Sequence, residues 1–300
     1  LGGEATLSVS VLTPSYQQAA WLADNLRSVA CQTYLDVEHV VVDGGSTDGT
    51  VGLLVTASAE CRDERTGGHR LLWVSEPDRG QAHAINKAFA LSSGEIIGWI
   101  NSDDAYVDCE AVARAVAVFA ARPEVDVVYG HCLQTTADGG FIQVLWTPRF
   151  DGTLLRTMNV LSQPAVFIRR TALGDTMLDD SFHFAMDYEL WLRLEAAGKR
   201  FARIDRVLAI DRHQPERKSS TIKEVHDSDL VRLTERYDTR FGPEYERTRT
   251  AFYLRQRVAG VRLALGLHPP FAFSTPREPK AGLLRRQIAS RRARWPEEYR

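Results

Sequence analysis

Several apolar segments of this chain show no polar alternation and end in an acidic turn. Three valines at 40–42 lead into Asp43, and the apolar residues 96–100 lead into Asn-Ser-Asp-Asp at 101–104. Such a run is typical of a strand buried on both faces, as in the parallel sheets of α/β proteins. Open α/β sheets bind ligands just beyond the carboxyl ends of their strands. The acids therefore lie where this fold class places a ligand.

Strand and helix patterns alternate through the first hundred residues. Strands are predicted at 7–12, 38–42, 70–74 and 95–100, with a helix in each interval. Four strands with three intervening helices predict a parallel sheet with right-handed crossovers. After a further helix the predicted strands become short and irregular, at 125–129, 141–146 and 165–168. This half is predicted to be mixed and shaped for a second ligand.

Composition and charge separate a large body from a basic end. With 300 residues and 44% hydrophobic content, the chain is long enough for one catalytic domain plus an appendage. Residues 247–300 hold 13 Lys and Arg against 3 Asp and Glu, although the net charge of the whole chain is −2. We predict a domain at 1–240, with halves at about 1–108 and 109–240, and a basic helical extension at 241–300.

The four cysteines are scattered and form neither a CxxC pair nor a zinc-ligand spacing with histidine. This distribution argues against a disulfide framework and favours a reducing, cytoplasmic compartment. No apolar run reaches the ~20 residues that span a bilayer. The sequence therefore predicts a soluble, cytoplasmic protein.

Six motifs follow one another along the chain. They are Thr13-Pro14-Ser15-Tyr16, residues 41–50 (VVDGGSTDGT), residues 75–80 (SEPDRG), Asn86-Lys87, residues 101–104 (NSDD) and residues 187–191 (DYELW). Their order and spacing resemble the family 2 glycosyltransferases of the GT-A fold over roughly residues 7–215. The joint match is far more specific than any single motif. The resemblance implies an α/β fold of GT-A type, whose Rossmann-like, mostly parallel sheet is flanked by helices. It also implies a nucleotide-sugar half at about 1–108 and an acceptor half at about 109–240.

The first two motifs imply a nucleotide pocket. By resemblance, Asp43 accepts an N–H from uracil, and Pro14, Ser15 and Tyr16 line the same pocket. Gly44 lets the ligand approach the backbone closely because it has no side chain. Asp-Gly is also a common turn pair, so the alternative role of Asp43 is to cap its own turn.

The loop at 77–80 is expected beside the nucleotide. The resemblance implies that Asp78 faces the nucleotide and its ribose, and Arg79 would add positive charge near the phosphates. Pro-Asp-Arg-Gly is also typical of a surface turn, which is the alternative interpretation.

The acidic turn at 101–104 implies a metal site for Mn²⁺ or Mg²⁺. These ions prefer carboxylate oxygen and bridge to diphosphate oxygens, so one or two protein carboxylates suffice. By resemblance this is an Asp-x-Asp site, with Asp103 as ligand, Asp104 as a second ligand or its partner, and Ser102 beside the nucleotide. Asn101 replaces the first acid, and its amide can coordinate but brings no charge. Helix capping is the alternative role of the two acids.

The last motif implies the catalytic base. Deprotonation turns an acceptor hydroxyl into a useful nucleophile, and by resemblance Asp187 takes that proton. Attack opposite the diphosphate would invert the anomeric configuration. Met186 replaces the first acid of the family's pair, and helix capping is the alternative role of Asp187. The Gln-x-x-Arg-Trp sequence of processive synthases does not follow Asp187, which favours transfer of a single sugar.

The basic end has three interpretations: a membrane-surface patch, a nucleic-acid patch or a protein-binding helix. Four apolar residues interleave with five arginines between Leu283 and Trp295, as in a helix lying on anionic lipid. This pattern favours peripheral contact with the inner membrane face, and a homodimer contact fits nearly as well. Nucleic acid is disfavoured because the body is acidic and lacks a recognised binding motif.

Together the patterns predict a metal-dependent, inverting glycosyltransferase that moves one sugar from a UDP-sugar to an acceptor hydroxyl. The acceptor is expected to be a glycan, a lipid-linked molecule or a small molecule. Two alternatives stay open: a nucleotidyltransferase that uses the same acids for metal, and a sugar- or nucleotide-binding relative without catalysis. A lipid-surface scaffold is a weaker third alternative that rests on the basic end alone.

Overall fold

A nine-stranded sheet forms the centre of the computed structural model, which describes residues 6–61, 69–214, 223–239 and 243–264. The strands are β1 Val9–Ser15, β2 Val37–Asp43, β3 Arg70–Ser75, β4 Ile96–Trp99, β5 Ala105–Tyr106, β6 Val127–Thr136, β7 Phe141–Leu145, β8 Val166–Arg169 and β9 Phe201–His213. The helices are α1 Ala19–Ala30, α2 Thr50–Cys61, α3 Gln81–Leu91, α4 Ala111–Ala121, α5 Gly152–Thr157, α6 Met186–Ala196, α7 Lys223–Tyr237 and α8 Pro243–Ala264.

The first four strands form the predicted parallel half of the sheet, in the order β3-β2-β1-β4. Strand β1 is longer than expected, because its pairing with β2 continues until Ser15 lies opposite Asp43. The carboxyl ends of β1, β2 and β4 therefore meet at one edge, where a parallel α/β sheet presents its ligand site.

The other half of the sheet is mixed, as the short strand patterns predict. Strand β8 runs antiparallel to both β4 and β6, whereas β6 and β9 pair in parallel. The prediction underestimated β6, which extends over ten residues and carries the β7 hairpin at its end. Gly130 permits the close pairing of β6 with β9, since a Cβ there would lie 2.6 Å from the Leu208 side chain.

Burial on both faces explains the lack of polar alternation in the central strands. On β1, Leu12 belongs to the core that α3 and α6 cover, while Val9 and Val11 belong to the core under α4. Each fully buried Val or Leu contributes about 1.5–3 kcal/mol of transfer free energy, so both faces of the strand stabilise the fold.

Two helices beyond the mixed half complete the described chain. Helix α7 packs on α6, and α8 packs on β7 and α5. Within the described ranges, no helix combines the length and apolarity needed to cross a bilayer. The predicted Arg-rich helix at 283–295 lies outside the described residues, and the domain boundary at 240 stays a prediction.

Candidate functional site

The carboxyl ends of the parallel strands open into a cleft of about 1090 Å³. That volume is at the upper end for a small-molecule site, which suits a substrate pair. The cleft brings together ten of the predicted residues: Pro14, Ser15, Tyr16, Gly44, Asp78, Asn101, Ser102, Asp103, Asp104 and Asp187. Asp43 and Arg79 do not line it.

Asp43 is fully buried and organises the loop that follows β2. Its Oδ2 accepts hydrogen bonds from Gly45 N at 3.1 Å, Ser46 N at 2.8 Å and Ser75 Oγ at 2.6 Å. These are the contacts of a turn cap, which was the alternative interpretation. Direct contact with uracil stays a prediction, and the observed bonds already occupy this carboxylate.

The loop capped by Asp43 places Gly44 against two other predicted residues. A Cβ on Gly44 would lie 3.0 Å from Asp78 Oδ2 and 3.1 Å from the Tyr16 ring. The absence of a side chain at 44 is therefore required for the loop, the aromatic ring and the carboxylate to meet in the cleft wall.

Ser15 presents an unsatisfied hydroxyl at the same edge. Its side chain is only 4% exposed, lines the cleft, and has no hydrogen-bond partner for its Oγ in the described structure. A buried polar group without a partner costs about 1–3 kcal/mol. A polar ligand that reached this hydroxyl would remove that cost, and the role of Ser15 in the nucleotide pocket stays a prediction.

The two charged residues of the loop at 77–80 point to different sides of the loop. Asp78 lines the cleft and caps the loop by accepting a hydrogen bond from Gly80 N at 2.7 Å. Arg79 points to the outside, is 73% exposed, and lies 3.6 Å from Asp180. The expectation that Arg79 adds charge near the phosphates is not supported by this placement.

Asn101 joins three elements through its amide. Its Oδ1 accepts hydrogen bonds from Gln81 Nε2 at 2.8 Å and Trp99 Nε1 at 3.0 Å. Its Nδ2 donates to Gln163 Oε1 at 3.0 Å and to Asp104 Oδ2 at 3.4 Å. Because both amide atoms form hydrogen bonds within the protein, Asn101 is a structural link, and its possible coordinating role stays a prediction.

We predict that Asn101→Asp destabilises the protein. A carboxylate would lose the donation to Gln163 and would face Asp104, so we expect a loss of roughly 1–3 kcal/mol in the free energy of unfolding. Urea denaturation at pH 7 measures it. Asn101→Ala is the control, since it removes the same bonds without adding charge. A variant as stable as the parent chain, with tighter Mn²⁺ binding, would show instead that position 101 is a ligand.

Asp103 and Asp104 have different surroundings. Asp104 is 5% exposed, and its Oδ1 accepts a hydrogen bond from Arg212 N at 3.1 Å. Asp103 is half-buried, and its Oδ2 accepts from Gln214 Nε2 at 3.3 Å. The protein contacts of Asp104 make it a link to β9, and the metal-ligand role of Asp103 stays a prediction.

Carboxylates, whose oxygens hard divalent cations prefer, are the charged groups that line the cleft among the described residues. Five carboxylates and no Lys or Arg line the cleft among the residues that the structure describes. In the same residues, no group of three or more His, Cys, Asp and Glu is arranged to enclose an ion. Mg²⁺ sites of one or two carboxylates completed by phosphates have this open character.

Asp187 lies in the first turn of α6 and lines the same cleft as the strand ends. Its Oδ2 accepts a hydrogen bond from Asn159 Nδ2 at 3.1 Å, and its Oδ1 accepts from Tyr188 N at 2.7 Å. Burial raises the pKa of Asp187, and the two hydrogen bonds partly oppose that rise. The helix N-cap is Ala185, so the capping alternative does not describe Asp187.

The loop ahead of Asp187 is fastened by Asp229 of α7. One oxygen, Asp229 Oδ2, accepts hydrogen bonds from the backbone N–H groups of His183, Phe184 and Ala185 at 3.1, 2.8 and 3.0 Å. Asp229 is 3% exposed. Since α7 follows the motif region by more than thirty residues, the sequence offered no signal for this contact.

We predict that Asp229→Ala lowers both stability and turnover. Three backbone N–H groups lose their acceptor, at a cost of roughly 1–3 kcal/mol, and the loop ahead of Asp187 loses its fixed position. Thermal unfolding and the kinetic constants measure the two effects, and we expect kcat to fall more than the affinity for the nucleotide. Asp229→Asn keeps an acceptor oxygen and should recover part of both. Glu235→Ala, an exposed acid on the same helix, is the control, and equal behaviour of Asp229→Ala and this control would contradict the prediction.

Amide side chains are the functional residues that the sequence analysis did not assign. Gln81, Asn159 and Gln163 all line the cleft, and each bonds to one of the predicted residues or to its strand. Gln163 Nε2 donates to Trp99 O at 2.5 Å and fixes the second half of the sheet against β4. Their only sequence signal is a polar residue in a short turn, which is too common to identify a site.

The sheet order and the acid-lined cleft at the strand ends agree with the expected fold of GT-A type. A family model described as Glycosyl transferase family 2 matches residues 10–189. The chain belongs to this family. The family resemblance is therefore confirmed, and so is the fold class that it implies. The nucleotidyltransferase alternative is wrong, because the matched family is one of glycosyltransferases.

Two curated relatives show what this chain is similar to. A PGL/p-HBAD biosynthesis glycosyltransferase of Mycobacterium bovis is 31% identical over 166 residues, 55% of this chain and 60% of that protein. The O-antigen biosynthesis protein RfbC of Myxococcus xanthus is 29% identical over 190 residues, 63% of this chain and 14% of that protein. The match spans less than two thirds of the length of either relative.

Solved structures show the same fold at low identity. S. aureus TarS 1–349 in complex with UDP-GlcNAc has a TM-score of 0.55 and 18% identity, and covers 85% of this chain and 74% of that chain. Mannosyltransferase PcManGT from Pyrobaculum calidifontis, in complex with GDP-Man and Mn²⁺, has a TM-score of 0.55 and 20% identity, and covers 96% and 81%. At these identities the likeness supports the fold alone.

Proposed function

We propose that this chain is a metal-dependent, inverting and non-processive glycosyltransferase with a UDP-sugar as donor. The observation that carries the proposal is that Asp103, at a strand end, and Asp187, at a helix start, line one cleft beside the unsatisfied Ser15 hydroxyl. One carboxylate is available for the departing diphosphate and a separate one for the incoming hydroxyl.

Asp187 has the role of the catalytic base in the proposed transfer. Asp187 accepts the proton of the acceptor hydroxyl as that oxygen bonds to the anomeric carbon. The bond between this carbon and the diphosphate oxygen breaks on the opposite face, so the configuration inverts and the bonding electrons leave with the diphosphate. The raised pKa of Asp187 makes it a stronger base than an exposed aspartate.

Asp103 is the residue that would hold the divalent cation, with Asp104 and Asn101 fixing the turn around it. When bound, Mn²⁺ or Mg²⁺ supplies positive charge to the departing diphosphate. Ser15, Tyr16 and Gly44 provide a hydroxyl, an aromatic face and an open backbone for the nucleotide.

The choice of UDP rests on similarity. Among the related folds, TarS is described in complex with UDP-GlcNAc, and glucosyl-3-phosphoglycerate synthase from Mycobacterium tuberculosis in complex with Mn²⁺ and UDP. PcManGT is described with GDP-Man, so the guanine nucleotide is the natural competitor in the test.

Calorimetric titration of UDP, GDP and dTDP into the chain, with and without Mn²⁺, tests the proposal. We expect UDP to bind in the presence of Mn²⁺ and to bind much more weakly without it. A screen of UDP-sugars for release of UDP then tests catalysis. Nucleotide binding without any turnover would favour the catalytically inactive relative, and the absence of binding under every condition would overturn the proposal.

A further inference from the structure

The cleft has a second wall that the motifs do not account for. Four aromatic side chains line it: Trp146 after β7, Phe184 ahead of α6, and Phe252 and Tyr253 on α8. The thioethers of Met158 and Met186 lie in the same lining. This wall is apolar and contrasts with the carboxylates at the strand ends.

Helix α8 is fastened to this wall by Gln256. Its Oε1 accepts a hydrogen bond from Trp146 N at 2.8 Å, and its Nε2 donates to Trp146 O at 2.9 Å. Gln256 is 4% exposed, and Ala259 joins Trp146 in one buried cluster. Phe252 and Tyr253 precede Gln256 by four and three residues, so all three share a helix face. Anchoring of the amide therefore fixes both rings at the cleft.

Polar groups border the aromatic wall. Gln134, Thr147 and Asp211 all line the cleft. Gln134 Nε2 donates to Asp211 Oδ2 at 2.8 Å, and Gln143 Nε2 donates to Gln134 Oε1 at 2.7 Å, so this row is held in position. The Thr147 Oγ1 is buried and has no hydrogen-bond partner in the described structure. Polar side chains beside the partly exposed rings of Phe252 and Tyr253 indicate a ligand that is apolar on one side and hydroxylated at its rim.

We infer that this wall binds a sugar ring of the acceptor, and that α8 supplies part of that subsite. A pyranose has a face of C–H groups and a rim of hydroxyls, which match the rings of Phe252 and Tyr253 and the polar row. An alkyl chain would bring no polar group to the row of Gln134, Thr147 and Asp211, and a phosphate would be repelled by Asp211. The inference rests on the proposed function, because the bound sugar is an acceptor only if the chain transfers a sugar to it. Binding of the sugar can be measured without catalysis.

Helix α8, which supplies part of this subsite, lies outside the part of the chain that the family model matches. The family model ends at residue 189, whereas α8 covers Pro243–Ala264. The residues that bind the acceptor sugar thus include ones from a segment outside the family match, which had been predicted only as a basic extension. Acceptor choice is then a property of this chain and its own C-terminal helix.

The test compares Phe252→Ala and Tyr253→Ala with Leu254→Ala. Leu254 is 61% exposed and does not line the cleft, so it is a matched control on the same helix. The probes are p-nitrophenyl glycosides of the common hexoses, titrated in the presence of UDP and Mn²⁺ and followed by tryptophan fluorescence. We expect the two aromatic variants to bind the glycosides at least about tenfold more weakly than the parent chain. The control should bind them as the parent does, and the UDP affinity should be unchanged in all three variants. Circular dichroism checks that each variant keeps its helix content.

The outcomes separate this inference from the proposed function. Glycoside binding that is lost in the aromatic variants, in a chain that binds no nucleotide, would support the subsite and overturn the transferase. Weakened UDP binding in the aromatic variants would assign the wall to the donor and overturn the subsite. Saturation by dodecyl phosphate in place of glycosides, or no glycoside binding to the parent chain, would also overturn it.

Discussion

Asp187→Asn is expected to lose about 10²- to 10⁴-fold in the turnover of transfer while keeping the affinity for UDP. The substitution is nearly isosteric, and the amide oxygen can still accept one of the two hydrogen bonds that Asp187 receives, from Asn159 or from Tyr188 N, so the change is local. The ability to take a proton is lost, together with one acceptor atom. Steady-state kinetics on the first accepted UDP-sugar and calorimetry with UDP measure the two quantities.

The same substitution is expected to raise the melting temperature at neutral pH. Burial raises the folded-state pKa of Asp187 above its unfolded value, so the folded chain binds this proton more tightly. Stability from that proton is present below the unfolded pKa and is lost as the pH rises through the folded pKa. At a pH above the folded pKa, Asp187 is charged and buried in the parent chain, which lowers its stability. The Asn variant has no charge at this position and avoids that cost. The difference in melting temperature should vanish at acid pH.

The pH dependence of activity gives a further check on Asp187. The base works only when ionised, so kcat/KM should fall with decreasing pH at a pKa above that of an ordinary aspartate. Asp180→Asn, which changes an exposed carboxylate in the preceding loop, is the control and should keep the parent profile. An Asp187→Asn variant with parental turnover would show that another group takes the proton.

Asp103→Ala is expected to abolish the effect of Mn²⁺ on UDP binding. The described lining of the cleft offers no Lys or Arg to neutralise the diphosphate, so the cation and its carboxylate ligand should carry most of that task. We expect the Mn²⁺-dependent part of the affinity to disappear and turnover to fall by at least 100-fold, since a metal ion contributes several kcal/mol to such transfers. Calorimetry with and without Mn²⁺ measures the first effect.

Two further variants make the Asp103 result interpretable. Asp36→Ala removes an exposed carboxylate between α1 and β2 and should change nothing. Asp104→Asn should act mainly on stability, because the Asp104 carboxylate bonds to Arg212 N and to Asn101. Undiminished Mn²⁺ dependence in Asp103→Ala would assign the cation to other residues of the cleft.

The sequence determined the parallel half of the sheet and the place of the site within it. Valine and isoleucine runs buried on both faces can only be central strands, and the turn after each run lies at the edge where ligands bind. This local chemistry placed Asp78 and Asp103 at that edge, and the family resemblance added Asp187. All three line one cleft, and their roles stay predictions. The family followed from the joint order of the motifs.

Tertiary structure decided what the local pattern could not express. Whether Asp43 faces a ligand or its own turn depends on Ser46 and Ser75, and the latter comes from a neighbouring strand. Asn101 is a structural link only because Gln81 and Gln163 approach it from distant segments. Asp229 and Gln256 act on the cleft from helices that carry no motif. Hydrogen bonds between residues far apart in the chain leave no periodicity or spacing in a single sequence. The strand ends could therefore be predicted, whereas the hydrogen-bond partners of their side chains could not.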